Sequence, residues 1–475
     1  MQEAINWIDE ETNTANLGDK RLNRRLGKIL NKFYSSPSQS IPSTFKSWDE
    51  TIAAYRFFNQ EKITPQEILA PHIDMTLNRI KNEEVVLLPQ DTSEIDFSHR
   101  HPIEGMGYLN SEDRQGFYIH PSIAVTPEKL CLGVVDFKYW AREKLGSRKD
   151  YKKIPIEEKE SYRWLESYEI ANKIATNAPN TKVISIADRE GDIYELLERL
   201  PSEINKAFWI IRCRENRLLF GDDADSKFRL WEQVRASEPI GEIEFILPAG
   251  KVYNREKTKR SHRKARQVKQ EIRTQTVYLK PPERRNGKEL SSIAINVVHC
   301  KEINPPREED KIEWFLLTSL PVNNCETAIE IANWYLSRWQ IELFFKILKS
   351  GCKIEELQFD CLKTTSNCIA VYLIVAWRIL YLTMLGRESP DIDCNLVFED
   401  SEWKSVFCVA TKKKPPEQPP KLKEIILMIA QLGGFLGRKS DGFPGSKVMW
   451  IGIQRMRDFA LAWEIFHSVE LKTYV

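Results

Sequence analysis

The chain has 475 residues, too many for one hydrophobic core, so two to four domains is the expectation. Its 70 Lys and Arg nearly balance 68 Asp and Glu, a formal net charge of +2, so bulk charge names no partner and only local charge informs. Nine cysteines, an odd number with no CxxC pair, together with no signal pattern at the N-terminus, argue against a disulfide framework or a zinc ribbon and predict buried thiols in a reducing, cytoplasmic setting.

Residues 1–70 read as helical. Asp19 caps a predicted helix in which Leu22, Leu26, Ile29, Leu30 and Phe33 make an apolar stripe, while Lys20, Arg21, Arg24, Arg25, Lys28 and Lys32 take the other faces. A basic helix in a small bundle suits a phosphate backbone; the alternative is an ordinary solvated face. A Ser/Pro-rich loop at 36–43 separates it from a second helix around Trp48 to Phe58. Thr64-Pro65-Gln66-Glu67 is a capping box with proline at the first helical position, opening a third helix toward Ile80.

Over 71–215 helices and strands alternate, which predicts a mixed α/β core. Val85 to Leu88 is an apolar run of buried-strand type that leads to Asp91-Thr92-Ser93; Phe117 to Val125 and Cys131 to Phe137 are close enough in sequence to pair antiparallel. A helix near Ser161 to Ala175 precedes the strand Lys182 to Asp188, which also ends on an aspartate, and helix Ile193 to Leu200 and strand Phe208 to Ile211 follow. Residues 216–310 change character to Gly, Pro and charge with short strands at Ile243 to Leu247, Thr276 to Leu279 and Ile293 to Val298. Inside this β-rich insertion, Lys251 to Arg273 holds ten Lys or Arg against two Glu, a basic loop or ribbon that contacts DNA or else a disordered tether. Tyr253 is its one aromatic, which favours phosphate contact over base stacking.

Residues 311–370 return to the core. Strand Glu313 to Ser319 and a turn and cap at Pro321 to Asn324 lead to Tyr335 through Lys349. On one helix, Tyr335, Arg338, Glu342 and Lys349 fall within roughly 60° of one another and make a polar stripe. The other faces carry Trp334, Ile341, Phe344, Phe345, Ile347 and Leu348, so this helix is expected to be buried on most sides and to stop at Gly351. The stripe suits a metal ion with a phosphodiester beside it, or i,i+4 ion pairs on a wetted face. Leading into 371–475, Cys368 to Leu385, interrupted by Arg378, reads as a core helix and not a membrane span. Lys412 to Pro420 is a proline linker, and the helices Ile425 to Leu432 and Met449 to Phe466 suit packing or oligomerisation.

Two strand-end aspartates, Asp91 and Asp188, and Glu342 on a later helix are an economical donor set for two divalent metals, Mg²⁺ with Mn²⁺ as substitute. No GxxxxGK[ST] loop, strand-borne GxGxxG or zinc-spaced histidine pair competes, so no nucleotide cofactor is expected. A strand-end aspartate is also a common cap, and Asp96 and Asp192 are close rivals by position.

With Asp91-Thr-Ser, Asp188-Arg189-Glu190-Gly191-Asp192 and Tyr335-x2-Arg338-x3-Glu342-x6-Lys349 in view, the sequence resembles the bacterial cut-and-paste DDE transposases of the Tyr-Arg-Glu-Lys subgroup. The resemblance extends through Leu17-Gly18-Asp19, Ala54-Tyr55-Arg56-Phe57, Trp164-Leu165, Glu302 to Pro306, Trp314 to Ser319 and Ile429 to Phe435. It implies an RNase H-like core interrupted by a β-rich insertion, with helical N- and C-terminal domains. It implies Asp91, Asp188 and Glu342 as metal ligands, with Tyr335, Arg338 and Lys349 gripping phosphates. Trp314 matches the tryptophan that stacks on a flipped base, Arg212 and Arg214 match positions that contact the transposon end, and Arg21, Arg24 and Arg25 lie in the end-binding helix. The partners implied are double-stranded DNA and a second copy of the chain, with no membrane. A DNA-binding regulator without cleavage, or a nuclease that cuts without joining, are the competing readings.

Overall fold

Apolar runs become strands and capped, periodic stretches become helices in the computed structural model, which describes residues 6–143, 154–220, 228–247, 250–252, 261–282, 291–307, 311–438 and 441–468. Two compact units form, one from Met1–Ser147 with Trp339–Val475, the other from Arg148–Arg338.

The first unit opens with α1 (Trp7–Thr12) and α2 (Lys20–Ser35), whose first turn is capped by Asp19: its Oδ1 accepts the Arg21 N–H at 2.7 Å. Leu26, Ile29, Leu30 and Phe33 are fully buried as the stripe predicts, while Arg21, Arg24 and Lys28 are exposed. The loop expected at 36–43 is partly helical, because Ser40 caps a short α3 (Ile41–Phe45) that ends at left-handed Lys46. Then α4 (Trp48–Phe58) and α5 (Pro65–Ile80) follow, the latter with both arms of the Thr64/Glu67 capping box formed. Strands β1 (Val85–Pro89), β2 (Ser93–Asp96), β3 (Gly107–Tyr108), β4 (Gln115–Val125) and β5 (Cys131–Trp140) are antiparallel around β4.

In the second unit α6 (Arg163–Asn177) packs on β6 (Lys182–Ala187). The helix predicted over Ile193 to Leu200 is one turn, α7 (Tyr194–Leu197), since Pro201 disfavours helical backbone before it. Strand β7 (Phe208–Arg212) runs parallel to β6, and α8 (Leu230–Arg235) follows. Further strands are β8 (Gly241–Leu247), β9 (Gly250–Val252), β10 (Ser261–Arg263), β11 (Arg266–Leu279), β12 (Ile293–Glu302) and β13 (Glu313–Thr318). They extend the sheet antiparallel in the order β7-β13-β12-β11-β8, and β9 pairs with β10. Of the basic run at 251–273, residues 253–260 lie outside the described residues; its last third is strand β11, and there Arg266 pairs with Glu302, Lys269 with Glu242 and Arg273 with Glu271. Those three cations serve the sheet, not an open loop.

The helix expected to run unbroken from Tyr335 to Lys349 is three pieces. Asn324 caps α9 (Cys325–Leu336), the chain turns at Ser337 and Arg338, α10 (Trp339–Lys346) begins, and Ile347–Gly351 is a π turn closed by the Cys352 N–H on the Ile347 carbonyl at 2.8 Å. The polar stripe of one helix therefore does not exist: Tyr335 and Arg338 end the second unit, while Glu342 and Lys349 belong to the first. The stop at Gly351 is as expected, although the left-handed residue after it is Lys353.

Back in the first unit, α11 (Leu362–Glu388) is long and apolar enough to cross a membrane, yet 94% of its most apolar window is buried in protein. It is a core helix: Tyr372 stacks on Phe33 at 4.4 Å between centroids, and the Trp377 indole N–H donates to the Cys131 carbonyl. Around its C-terminal half lie α12 (Asp400–Thr411), α13 (Leu422–Leu432) and α14 (Ser446–Ser468). Arg457 of α14 bonds Glu402, and reaches α2 at Asn31, Tyr34 and Ser35, away from its exposed basic turns.

Candidate active site and nucleic-acid interface

Both aspartates stand where an apolar strand ends and polar backbone turns outward. Asp91 follows β1, and its Oδ1 accepts the Thr92 N–H at 2.8 Å. Asp188 follows β6 and caps the short turn Arg189–Gly191, its Oδ1 accepting the Glu190 N–H at 2.8 Å. Among the described residues Asp188 Oδ2 carries no hydrogen bond or ion pair. Glu342 is half-buried in the first turn of α10.

The two positional rivals are bound into structure. Asp192 accepts from the Arg214 N–H at 2.7 Å, the Glu215 N–H at 3.0 Å and Arg217 Nε at 3.1 Å, with its side chain fully buried. Asp96 is half-exposed; burial works against its charge, but Ser98 and Arg114 hold its carboxyl down at about 2. Asp192 and Asp96, the two rivals by position, are thus each engaged by an arginine.

Around Asp188 the second unit gathers cations. Tyr335 is buried, and burial pushes its hydroxyl pKa up against the Arg338 and Arg212 charges. Arg212 is itself mostly buried; desolvation lowers its pKa, with Arg189 and Arg338 adding repulsion and Tyr335 opposing them. Tyr335 and Arg212 stand side by side and interact, while the Tyr335 hydroxyl and Arg212 Nε are both buried short of full hydrogen-bond geometry. Unsatisfied buried polar atoms are uncommon in native folds and call for an explanation. Arg214 points outward beside Glu215, its exposure fitting a surface contact. Trp314 is 9% exposed, stacked on Phe245 of β8 at 5.4 Å and edge-on to Tyr335 at 5.5 Å, so in this conformation its ring is packed.

In the first unit Lys349 is held by the Glu94 carbonyl and by Glu355 at 3.3 Å. Among the described residues no group of three or more His, Cys, Asp or Glu is gathered to hold a metal ion. On the N-terminal helices, Arg21, Arg25, Arg56 and Trp48 line a groove of about 530 Å³, where Trp48 is 77% exposed. Arg21 is partly committed, forming an ion pair with its own cap Asp19 at 2.9 Å. Trp48, legible in sequence only as a helix start, is the exposed aromatic of this groove.

Residues 4–63 match the family model of a transposase DNA-binding domain, 170–377 that of a transposase DDE domain, and 374–466 that of the Tn5 transposase dimerisation domain. Among solved structures, a cryo-EM piggyBac transposase synaptic complex with hairpin DNA is similar at 10% identity and TM-score 0.35 over 81% of this chain and 73% of that one, a likeness too loose to build on. With an α/β fold of RNase H-like type between helical ends, the chain belongs to the DDE transposases, DNA-binding enzymes that cut and join DNA as dimers. Its dimerisation segment is of the Tn5 type. Enzymes with DDE domains generally work with divalent metal ions.

Proposed function

We propose that this transposase moves its element by cut-and-paste: a strand is nicked at the transposon end, and the freed 3′-OH attacks the opposite strand to form a hairpin. The hairpin is reopened, and the ends are joined to target DNA. The observation that carries this reading is the cationic cluster around Asp188, in which the buried Tyr335 hydroxyl and Arg212 Nε lie beside the charges of Arg189 and Arg338. Each buried polar atom left without a partner costs roughly 1–3 kcal/mol, and the oxygens of a phosphodiester would satisfy both.

Asp91, Asp188 and Glu342 are the residues that would hold two divalent ions, Mg²⁺ with Mn²⁺ able to substitute; an all-oxygen donor set fits a hard cation. When bound, such ions stabilise the attacking and leaving oxygens of an in-line phosphoryl displacement. The Thr92 and Glu190 amides fix one oxygen of Asp91 and of Asp188, which sets the direction of each carboxylate. Tyr335, Arg338 and Lys349 would neutralise phosphate charge at the cleaved end. Trp314 would stack on the base extruded for hairpin formation, exchanging its contact with Phe245 for one with the base. Arg212 and Arg214 would contact the end, and Arg21, Arg24 and Arg25 the outer duplex.

On this reading residues 1–70 bind the transposon end, 71–215 and 311–370 form the catalytic core, 216–310 is the β-rich basic insertion, and 371–475 joins two protomers. The setting is the bacterial cytoplasm, at the nucleoid when DNA is bound. The test is cleavage of a donor plasmid carrying the element's ends in Mg²⁺, wild type against Glu342→Ala. Hairpin and excision products that vanish in the variant support the mechanism. End binding with no products in Mg²⁺ or Mn²⁺ means a DNA-binding regulator, and nicking without strand transfer means a nuclease.

A further inference from the structure

The segment that carries Asp91 is an interruption in a strand. Leu87 pairs with Val125, Gln90 with Ser122, Ser93 with Ile119 and Asp96 with Gly116, so β1 and β2 keep one register along β4 across the gap. That register sets Asp91 opposite Pro121, which has no N–H to give, and Thr92 opposite His120. Side chains link the two strands across this interruption.

His120 is fully buried on β4. Its Nδ1 lies 2.9 Å from Thr92 Oγ1 and its Nε2 lies 3.0 Å from Gln90 Oε1. Nε2–H donates to Gln90 Oε1, while the Thr92 hydroxyl, able to donate or accept, bonds Nδ1. Both neighbours of Asp91 are thus tied to one imidazole. Thr92 passes the constraint on, because its own N–H is the donor that fixes Asp91 Oδ1 at 2.8 Å.

We propose that His120 is a positioning residue for Asp91: through Thr92 and Gln90 it holds the interrupted strand so that the Asp91 carboxylate is aimed before metal arrives. This rests on Asp91 being a metal ligand, as proposed above. Groups that orient a ligand from behind contribute about 10- to 100-fold to metal affinity or activity when removed.

The test uses the full-length protein with Mn²⁺ as probe and compares wild type, His120→Phe, His120→Asn, Thr92→Val and Asp91→Asn. Affinity for transposon-end DNA, Mn²⁺ binding to the DNA complex followed by electron paramagnetic resonance of free Mn²⁺, and single-turnover nicking are read at a temperature well below every variant's Tm. His120→Phe and Thr92→Val are expected to bind ends within about twofold of wild type, to weaken Mn²⁺ binding by about 10-fold or more, and to slow nicking comparably. His120→Asn, which can still accept from Thr92, is expected to recover part of both. Thr92→Val keeps the test decisive if His120→Phe does not fold. A merely structural histidine would lower Tm and leave Mn²⁺ binding unchanged, which overturns the proposal. If Asp91→Asn binds Mn²⁺ and nicks like wild type, the ligand assignment beneath it fails; if Asp91→Asn is inactive while the His120 and Thr92 variants match wild type, only the positioning role fails.

Discussion

Asp188 and Asp192 stand four residues apart at the end of the same strand, Asp192 buried against Arg217 and Asp188 capping the turn at Arg189, and the proposed mechanism gives them opposite duties. Asp192→Asn removes a buried charge from Arg217 and turns one of the carboxylate oxygens that receives the Arg214 and Glu215 amides, or binds Arg217, into an NH₂. Breaking a buried pair while its partner stays charged costs about 3–5 kcal/mol. Asp188→Asn, by contrast, keeps a good cap for the turn at Arg189, so stability should stay within about 0.5 kcal/mol of wild type. Cleavage should behave the other way, with Asp188→Asn folded and inactive. The assay is urea unfolding followed by tryptophan fluorescence, paired with plasmid cleavage under conditions where both variants are folded. An Asp192→Asn variant within about 1 kcal/mol of wild type would refute the anchoring argument, and an Asp188→Asn variant that cleaves normally would refute the ligand assignment.

The Tyr335 hydroxyl is buried short of full hydrogen-bond geometry, so Tyr335→Phe should leave thermal stability unchanged or slightly raised while slowing end cleavage; a drop of more than about 1 kcal/mol in unfolding free energy would mean that the hydroxyl is already bonded in the free protein. Replacing Arg24 and Arg25 by alanine should weaken end binding and flatten the slope of log affinity against log salt by about 0.9 for each lost phosphate contact, as a mobility-shift titration would read; an unchanged slope removes α2 from the interface. Glu313 is partly buried, yet Arg235 and His299 hold its carboxyl down at about 2. A depressed carboxylate contributes stability that is complete above the ordinary value of 4.5 and is lost as pH falls toward 2, so Glu313→Gln should be less stable near neutral pH and lose less on acidification over that window. Parallel pH profiles for the two proteins would show that the pair contributes nothing.

Much of this was legible in order of residues. The caps at Asp19, Thr64 and Asn324 announced their helices because each needs only local chemistry, and the runs Val85 to Leu88 and Lys182 to Asp188 announced strands because burial on both faces demands unbroken apolar sequence. The break at Ser337 was not legible. Tyr335-Leu-Ser-Arg-Trp has no proline or glycine, and its apolar spacing carries on through the turn as if nothing happened. The duties of Asp192 and His120 were hidden for a different reason: their partners, Arg217 and Gln90, lie some tens of residues away and meet them only once strand register is set. The same holds for Glu11, fully buried between His72 and Arg79 at a site no local pattern marks. Sequence showed which residue types could do the chemistry, and tertiary partners showed which of them, such as Asp192 and Glu11, are bound into the fold.

The long helix α11 has a consequence for how such a protein can be taken apart. The matches to the DDE and dimerisation families meet at 374–377, in the middle of Leu362–Glu388. Gly386 in its last turn admits Ile426 so closely that a Cβ there would sit 3.0 Å from that side chain, and a Cβ on Gly351 would meet Trp450 at 3.1 Å. Two families in name therefore share one piece of core, with no seam where a linker could be spliced. Truncation at the family boundary would halve a buried helix, so deletion mapping should give whole-protein failure where a modular chain would give a working fragment, and domain-swap chimaeras are better joined in the exposed stretch at 412–420.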